Sequence, residues 1–133
     1  MNRLFVAVAF LFVSLTSFGQ SFTTQGYSAG AGANQLIVAD FNGDHIPDIA
    51  TVNQSSNTVS ILINNGDGTF RAHLEFATGA APVSLAAVDL NKDGKMDLVV
   101  ANNQADAAHS ISILLGNGDG TFQAHHDISG ALP

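Results

Sequence analysis

The chain has no cysteine and no tryptophan, and its 133 residues include only four lysines and arginines and three prolines. Each shortage removes a class of protein. Without cysteine there is no disulfide framework of the kind that holds small exported domains, so rigidity must come from elsewhere, and bound metal is the obvious source. With so few cations against eleven acids the formal net charge is −7, which makes nucleic acid and anionic membrane poor partners. No segment after residue 20 shows the 3.6-residue periodicity and end signals of a helix. There is no Gly-x-Ser-x-Gly elbow, no His-Glu-x-x-His pair and no phosphate loop, and the chain reads as non-enzymatic. Tyr27 is the single tyrosine, so aromatic platforms for a sugar are scarce as well.

The N-terminus is better supplied. Met1, Asn2 and Arg3 precede an unbroken apolar run over residues 4–13, and Ser17 and Gly19 provide small residues ahead of Gln20. This is the layout of a secretory signal peptide, expected over residues 1–19, and the run is well short of the roughly 20 residues that span a bilayer. The expected destination is extracellular or cell-surface, or the periplasm. Residues 20–133 then suit one small domain.

An internal repeat organises that domain. Leu36, Ile37, Val38, Ala39 and Asp40 recur 49 residues on as Leu85, Ala86, Ala87, Val88 and Asp89. The Asn-Gly-Asp-Gly-Thr-Phe run at 65–70 recurs 52 residues on at 117–122, so a three-residue insertion falls around residues 104–109. Repeat one is placed at about 30–78, repeat two at about 79–129, and Gly130-Ala131-Leu132-Pro133 reads as the start of a third, by analogy with Gly79-Ala80-Ala81-Pro82. Leu36 to Ala39 and Ile49 to Val52 are short apolar runs expected as inner strands covered on both faces. Val59 to Ile63 is a third strand, and Thr69 to Ala77 a more polar fourth with Phe70 and Phe76 as core contacts. Four short strands in about 50 residues, repeated, predict an all-β chain of four-stranded antiparallel β-propeller blades.

Between the first and second strands of each unit lies an acidic loop. Asp40, Asn42, Asp44 and Asp48, and again Asp89, Asn91, Asp93 and Asp97, take positions 1, 3, 5 and 9, with the carbonyls of Ile46 and Lys95 at position 7. Calcium takes six to eight oxygens, and donors on alternate residues let a curled backbone turn several toward one centre. An EF-hand is rejected because position 12 is Thr51 or Val100 and the flanks are strands. Turn-forming Asx chemistry is the bland alternative, but two copies preserving acids at 1, 5 and 9 favour metal. Position 6 is Gly94 in the second loop and His45 in the first, so strain is expected at His45 and the second loop is expected to be the better site. The Asn-Gly-Asp-Gly segments at 65–68 and 117–120 read as hairpin turns. His73, His125 and His126 read as surface-strand residues rather than a zinc site.

These segments resemble the FG-GAP repeats, also called VCBS-type repeats, of integrin α-like β-propellers. The matching runs are Val-Ala-Asp-Phe-Asn-Gly-Asp-His-Ile-Pro-Asp-Ile at 38–49, Val-Asp-Leu-Asn-Lys-Asp-Gly-Lys-Met-Asp-Leu at 88–98, the two Asn-Gly-Asp-Gly-Thr-Phe hairpins, and Gly-Ala-Ala-Pro at 79–82. The resemblance implies Ca²⁺ held in both loops of a secreted module with a structural or adhesion-like interaction role and an unknown protein or glycan ligand. The alternative is a carbohydrate-binding module or an accessory part of a carbohydrate-active enzyme. The chain departs from the family in holding about two and a half repeats where such propellers close with about seven. Further blades of a longer chain, or copies of itself, would be needed for closure.

Overall fold

The computed structural model describes residues 25–103 and 110–129. The expected signal peptide, the insertion at 104–109 and the start of a third repeat at 130–133 lie outside the described residues. Eight strands run in order: β1 (Ala33–Ala39), β2 (Asp48–Asn53), β3 (Thr58–Leu62), β4 (Leu74–Ala77), β5 (Pro82–Val88), β6 (Asp97–Asn102), β7 (Ser110–Leu114) and β8 (His126–Ser129). They form two four-stranded antiparallel sheets, β1-β2-β3-β4 and β5-β6-β7-β8, with no helix among the described residues. This is the architecture of partial propeller blades.

Strand pleating decides which residues hold the two sheets together. Ala50 of β2 stands opposite Ile37 and Ile61, and Val52 opposite Val59, which itself faces Phe76 of β4. That face packs against Leu85, Leu98, Val100, Leu114 and Phe122 of the second unit in one continuous core. Burying each such aliphatic side chain contributes about 1.5–3 kcal/mol. Phe122 collects the aromatic contacts, with Phe41 at 5.8 Å and Phe76 at 5.4 Å, both edge-to-face. Across the same junction Gly120 N–H donates to the Phe41 carbonyl at 2.9 Å, and Leu85 N–H to Gln35 Oε1 at 3.0 Å.

Two sequence expectations need correction. Ile49 to Val52 is buried on both faces as expected, but β1 is not, since Leu36 is 40% and Val38 56% exposed. These two lie on the face of the first sheet turned away from the second, where among the described residues a small core of Ile49, Leu62 and Phe70 has the partly buried Tyr27 packed against it. The fourth strand is also shorter than Thr69 to Ala77: β4 starts at Leu74, while Phe70 closes the hairpin through an isolated bridge to Asn64.

Each sheet also carries a buried polar device that sequence reading missed. Asn53 Nδ2 donates to Thr58 Oγ1 and Ser60 Oγ, both at 2.9 Å, and Gly30 N–H donates to the same Ser60 Oγ at 3.0 Å. Asn102, Ser110, Ser112 and Gly79 repeat the arrangement. A Cβ on Gly79 would stand 2.5 Å from Asn102 Nδ2, so only glycine fits there. Sequence offset would have found it, because Asn53 and Asn102 are 49 residues apart.

Candidate metal loops

Each acidic loop leaves the end of a first strand and re-enters the sheet at the start of a second, so position 9 is pinned by the ladder and position 1 directly follows its last pair. Asp40 follows β1 and Asp48 opens β2; Asp89 follows β5 and Asp97 opens β6. Asp48 and Asp97 are fully buried. The two oxygens of Asp48 accept from the N–H groups of Phe41 at 3.0 Å and Asn64 at 2.8 Å. Those of Asp97 accept from Leu90 and Gly116, both at 2.9 Å. Position 9 therefore ties its own loop to the end of the third strand, a role that spacing alone did not reveal.

The residues at positions 1, 3 and 5 line the inside of the curl. Asp40 accepts from Gly43 N–H at 2.7 Å and His45 N–H at 2.8 Å, and Asp89 from Asp93 at 3.1 Å and Gly94 at 2.9 Å. Asn42 Oδ1 accepts from Asp44 N–H and Asp44 Oδ1 from Ile46 N–H, and Asn91 and Asp93 repeat this, the latter taking the Lys95 N–H. Asn42 Nδ2 also donates to Asp44 Oδ2 at 2.7 Å, as Asn91 does to Asp93 at 3.1 Å. The carboxylates are thus turned onto loop N–H groups, and among the described residues no three acidic or histidine side chains converge closely enough to hold a metal.

Electrostatics separate position 1 from position 9. Burial pushes the Asp48 carboxyl above its ordinary value; the N–H groups of Asn64 and Phe41 pull it back in part, and the charges of Asp44 and Asp40 push it up again. Partial burial also acts to raise Asp40, but the N–H groups of His45, Gly43, Asn42 and Asp44 outweigh it and hold that acid below 3.8.

The backbone strain expected at His45 is present, but the second loop carries strain of the same kind. His45 at position 6 does adopt a left-handed conformation, φ 65°, but so does Lys92 at position 4 of the second loop, φ 61°. Gly43 and Gly94 supply the other positive-φ residue in each case, at 78° and 84°. The curl needs two left-handed residues, at positions 4 and 6, and each loop fills one with glycine and one with a strained side chain.

The fold and these loops define a protein of tandem four-stranded blades with an acidic loop between the first two strands of each. Two family models agree with that class: an FG-GAP-like repeat matches residues 40–100 and an FG-GAP repeat matches residues 81–122. The chain belongs to the FG-GAP repeat proteins. No curated protein and no solved structure matches it.

Proposed function

We propose that the chain is a secreted, calcium-stabilised β-propeller module whose role is structural and interactive rather than catalytic. The observation that carries this reading is the repeated acidic curl: Asp40, Asp44 and the buried Asp48 share one loop and Asp89, Asp93 and the buried Asp97 the other, each accepting from N–H groups of its own loop. Three like charges around one loop favour a divalent cation, and every donor in the set is a hard oxygen of the kind calcium prefers. Turned from the loop N–H groups they accept from onto a shared centre, Asp40, Asn42, Asp44 and Asp48 with the Ile46 carbonyl would hold one ion, and Asp89, Asn91, Asp93 and Asp97 with the Lys95 carbonyl the other. Asp48 and Asp97 each keep lone pairs beyond those their N–H partners use. Calcium would supply charge neutralisation there, and the chain's own residues supply the curl that presents the oxygens.

A metal bound only by the folded state adds about 2.7 kcal/mol per site at a hundredfold excess over Kd. That is a large share of a small domain's stability, which gives the ion a structural meaning in a chain without disulfides. The FG-GAP repeats themselves support an interaction module, closed by further blades of a longer chain or by copies of this one. Thermal melts test the reading. The melting temperature should rise with calcium and fall with chelator, and the Asp44→Ala, Asp93→Ala double variant should lose the response. A wild-type melt unchanged by either addition would overturn the assignment.

A further inference from the structure

The second sheet presents to solvent the residues with which the first sheet builds its core contact. Val88, Leu90, Ile111 and Ile128 stand 49 or 52 residues after Ala39, Phe41, Val59 and Phe76. All four of the earlier residues pack in the core shared by the two sheets. The later four are exposed, Ile111 at 43% and Ile128 at 52%. The outer face of the first sheet is the matching half. Its exposed Leu36 and Val38 correspond to Leu85 and Ala87, which pack in the internal junction. Gly68 corresponds to Gly120, whose added Cβ would meet Ile63 Cδ1 at 2.6 Å, whereas a Cβ added at Gly68 would meet nothing within 4 Å among the described residues. One molecule therefore carries both halves of its own internal junction, each with apolar side chains left exposed.

From this we infer that the chain associates head to tail, the exposed face of the second sheet of one copy seating the outer face of the first sheet of the next. The inference rests on the blade reading and not on calcium. The internal junction fixes the register: Gly68 N–H of the incoming copy would meet the Leu90 carbonyl as Gly120 N–H meets that of Phe41, and Leu115 would fill the space that Ile63 fills against Gly120. Such a contact is heterologous, so it propagates instead of stopping at a symmetric dimer.

One strand must exchange. Tyr27 packs edge-to-face on Phe70 at 5.1 Å, as Phe76 packs on Phe122. Gly30, just after it, bonds Ser60 as Gly79 bonds Ser112. Residues 25–28 thus already occupy the place of a fourth strand from a preceding blade. In the assembly they stand beside β7 of the neighbouring copy and displace its β8, which is exposed along its whole length.

Sedimentation velocity of the full chain over a rising concentration series tests this. The wild type should form species larger than dimers, while Val38→Asp and Ile111→Asp should each sediment as monomers and keep the wild-type circular dichroism. Mixed in equal amounts, these two variants retain one intact pair of faces and should form heterodimers and nothing larger. Ile128→Asp should still assemble, because β8 leaves the contact. Folded wild-type chain that stays monomeric, a mixture that stays monomeric, assembly that survives both single substitutions, or assembly lost in Ile128→Asp would overturn the proposal. Because this readout is mass and the calcium test reads melting, failure of one is distinguishable from failure of the other.

Discussion

Phe41 and Leu90 hold the same position in two repeats and meet opposite surroundings. Phe41 is fully buried, stacked edge-on against Phe122, with its carbonyl accepting the Gly120 N–H. Leu90, second residue of an equally built loop, is 45% exposed. Both loops have the same anchors, since position 9 binds the N–H of this second residue in each. Local chemistry is therefore repeated faithfully while burial is not, and burial is set by whether another blade stands alongside. The acidic loop forms from its own residues; the blade-to-blade contact depends on a neighbour.

The largest expected effect follows directly. Phe41→Ala removes a buried ring from the shared core and should lower unfolding free energy by about 3–5 kcal/mol. Leu90→Ala should cost about 0.5 kcal/mol or less, as for a surface position. Urea melts at concentrations low enough to prevent association would measure both. Equal losses would mean that Leu90 is covered in the isolated chain and would break the comparison.

How far the sequence could be read follows the same division. Ile49 to Val52 and the acidic loops were legible because a continuous apolar run and an alternating oxygen pattern are local signals. The exposed Leu36 and Val38 were not, because an apolar run does not say whether a second surface exists to cover it. Tyr27 lies 49 residues before Phe76, at a fourth-strand position, but the polar and glycine-rich residues around it hide the strand pattern. Lys92 was hidden differently. Gly94 marks position 6 in the sequence, whereas the demand at position 4, filled by Lys92, appears only in backbone angles.

The second prediction tests that shared demand. A left-handed side chain costs about 1–2 kcal/mol relative to glycine, offset in part by the larger unfolded-state freedom of glycine. His45→Gly and Lys92→Gly should therefore each stabilise the chain by about 0.5–1 kcal/mol, by similar amounts, in the absence of calcium. Chemical denaturation of both variants would measure this. A gain confined to His45→Gly would bear out the expected inequality between the loops.

The smallest effect lies in the two Asn-Gly-Asp-Gly hairpins. Asp67 accepts the Thr69 hydroxyl at 2.6 Å and its N–H at 2.9 Å, and Asp119 does the same with Thr121. In each the side-chain hydroxyl bond is the main cause, and the N–H bond a second, of a carboxyl held below its ordinary 3.8. Asp119 alone is also lowered by the charge of Lys95. A carboxyl lowered by folding contributes stability above its unfolded pKa and loses it as pH falls through the folded value. Both hairpins are exposed, so the contribution is small and sensitive to salt. Melting temperature should therefore fall slightly on acidification below 3.8. Thr69→Val and Thr121→Val should each blunt that fall, and Lys95→Met should blunt it only through Asp119. Following the Asp67 and Asp119 carboxyl signals by NMR separates the two hairpins: Lys95→Met should raise the Asp119 midpoint and leave Asp67 where it was. Movement of both would show that Lys95 acts through the general acidity of the surface rather than on its own hairpin.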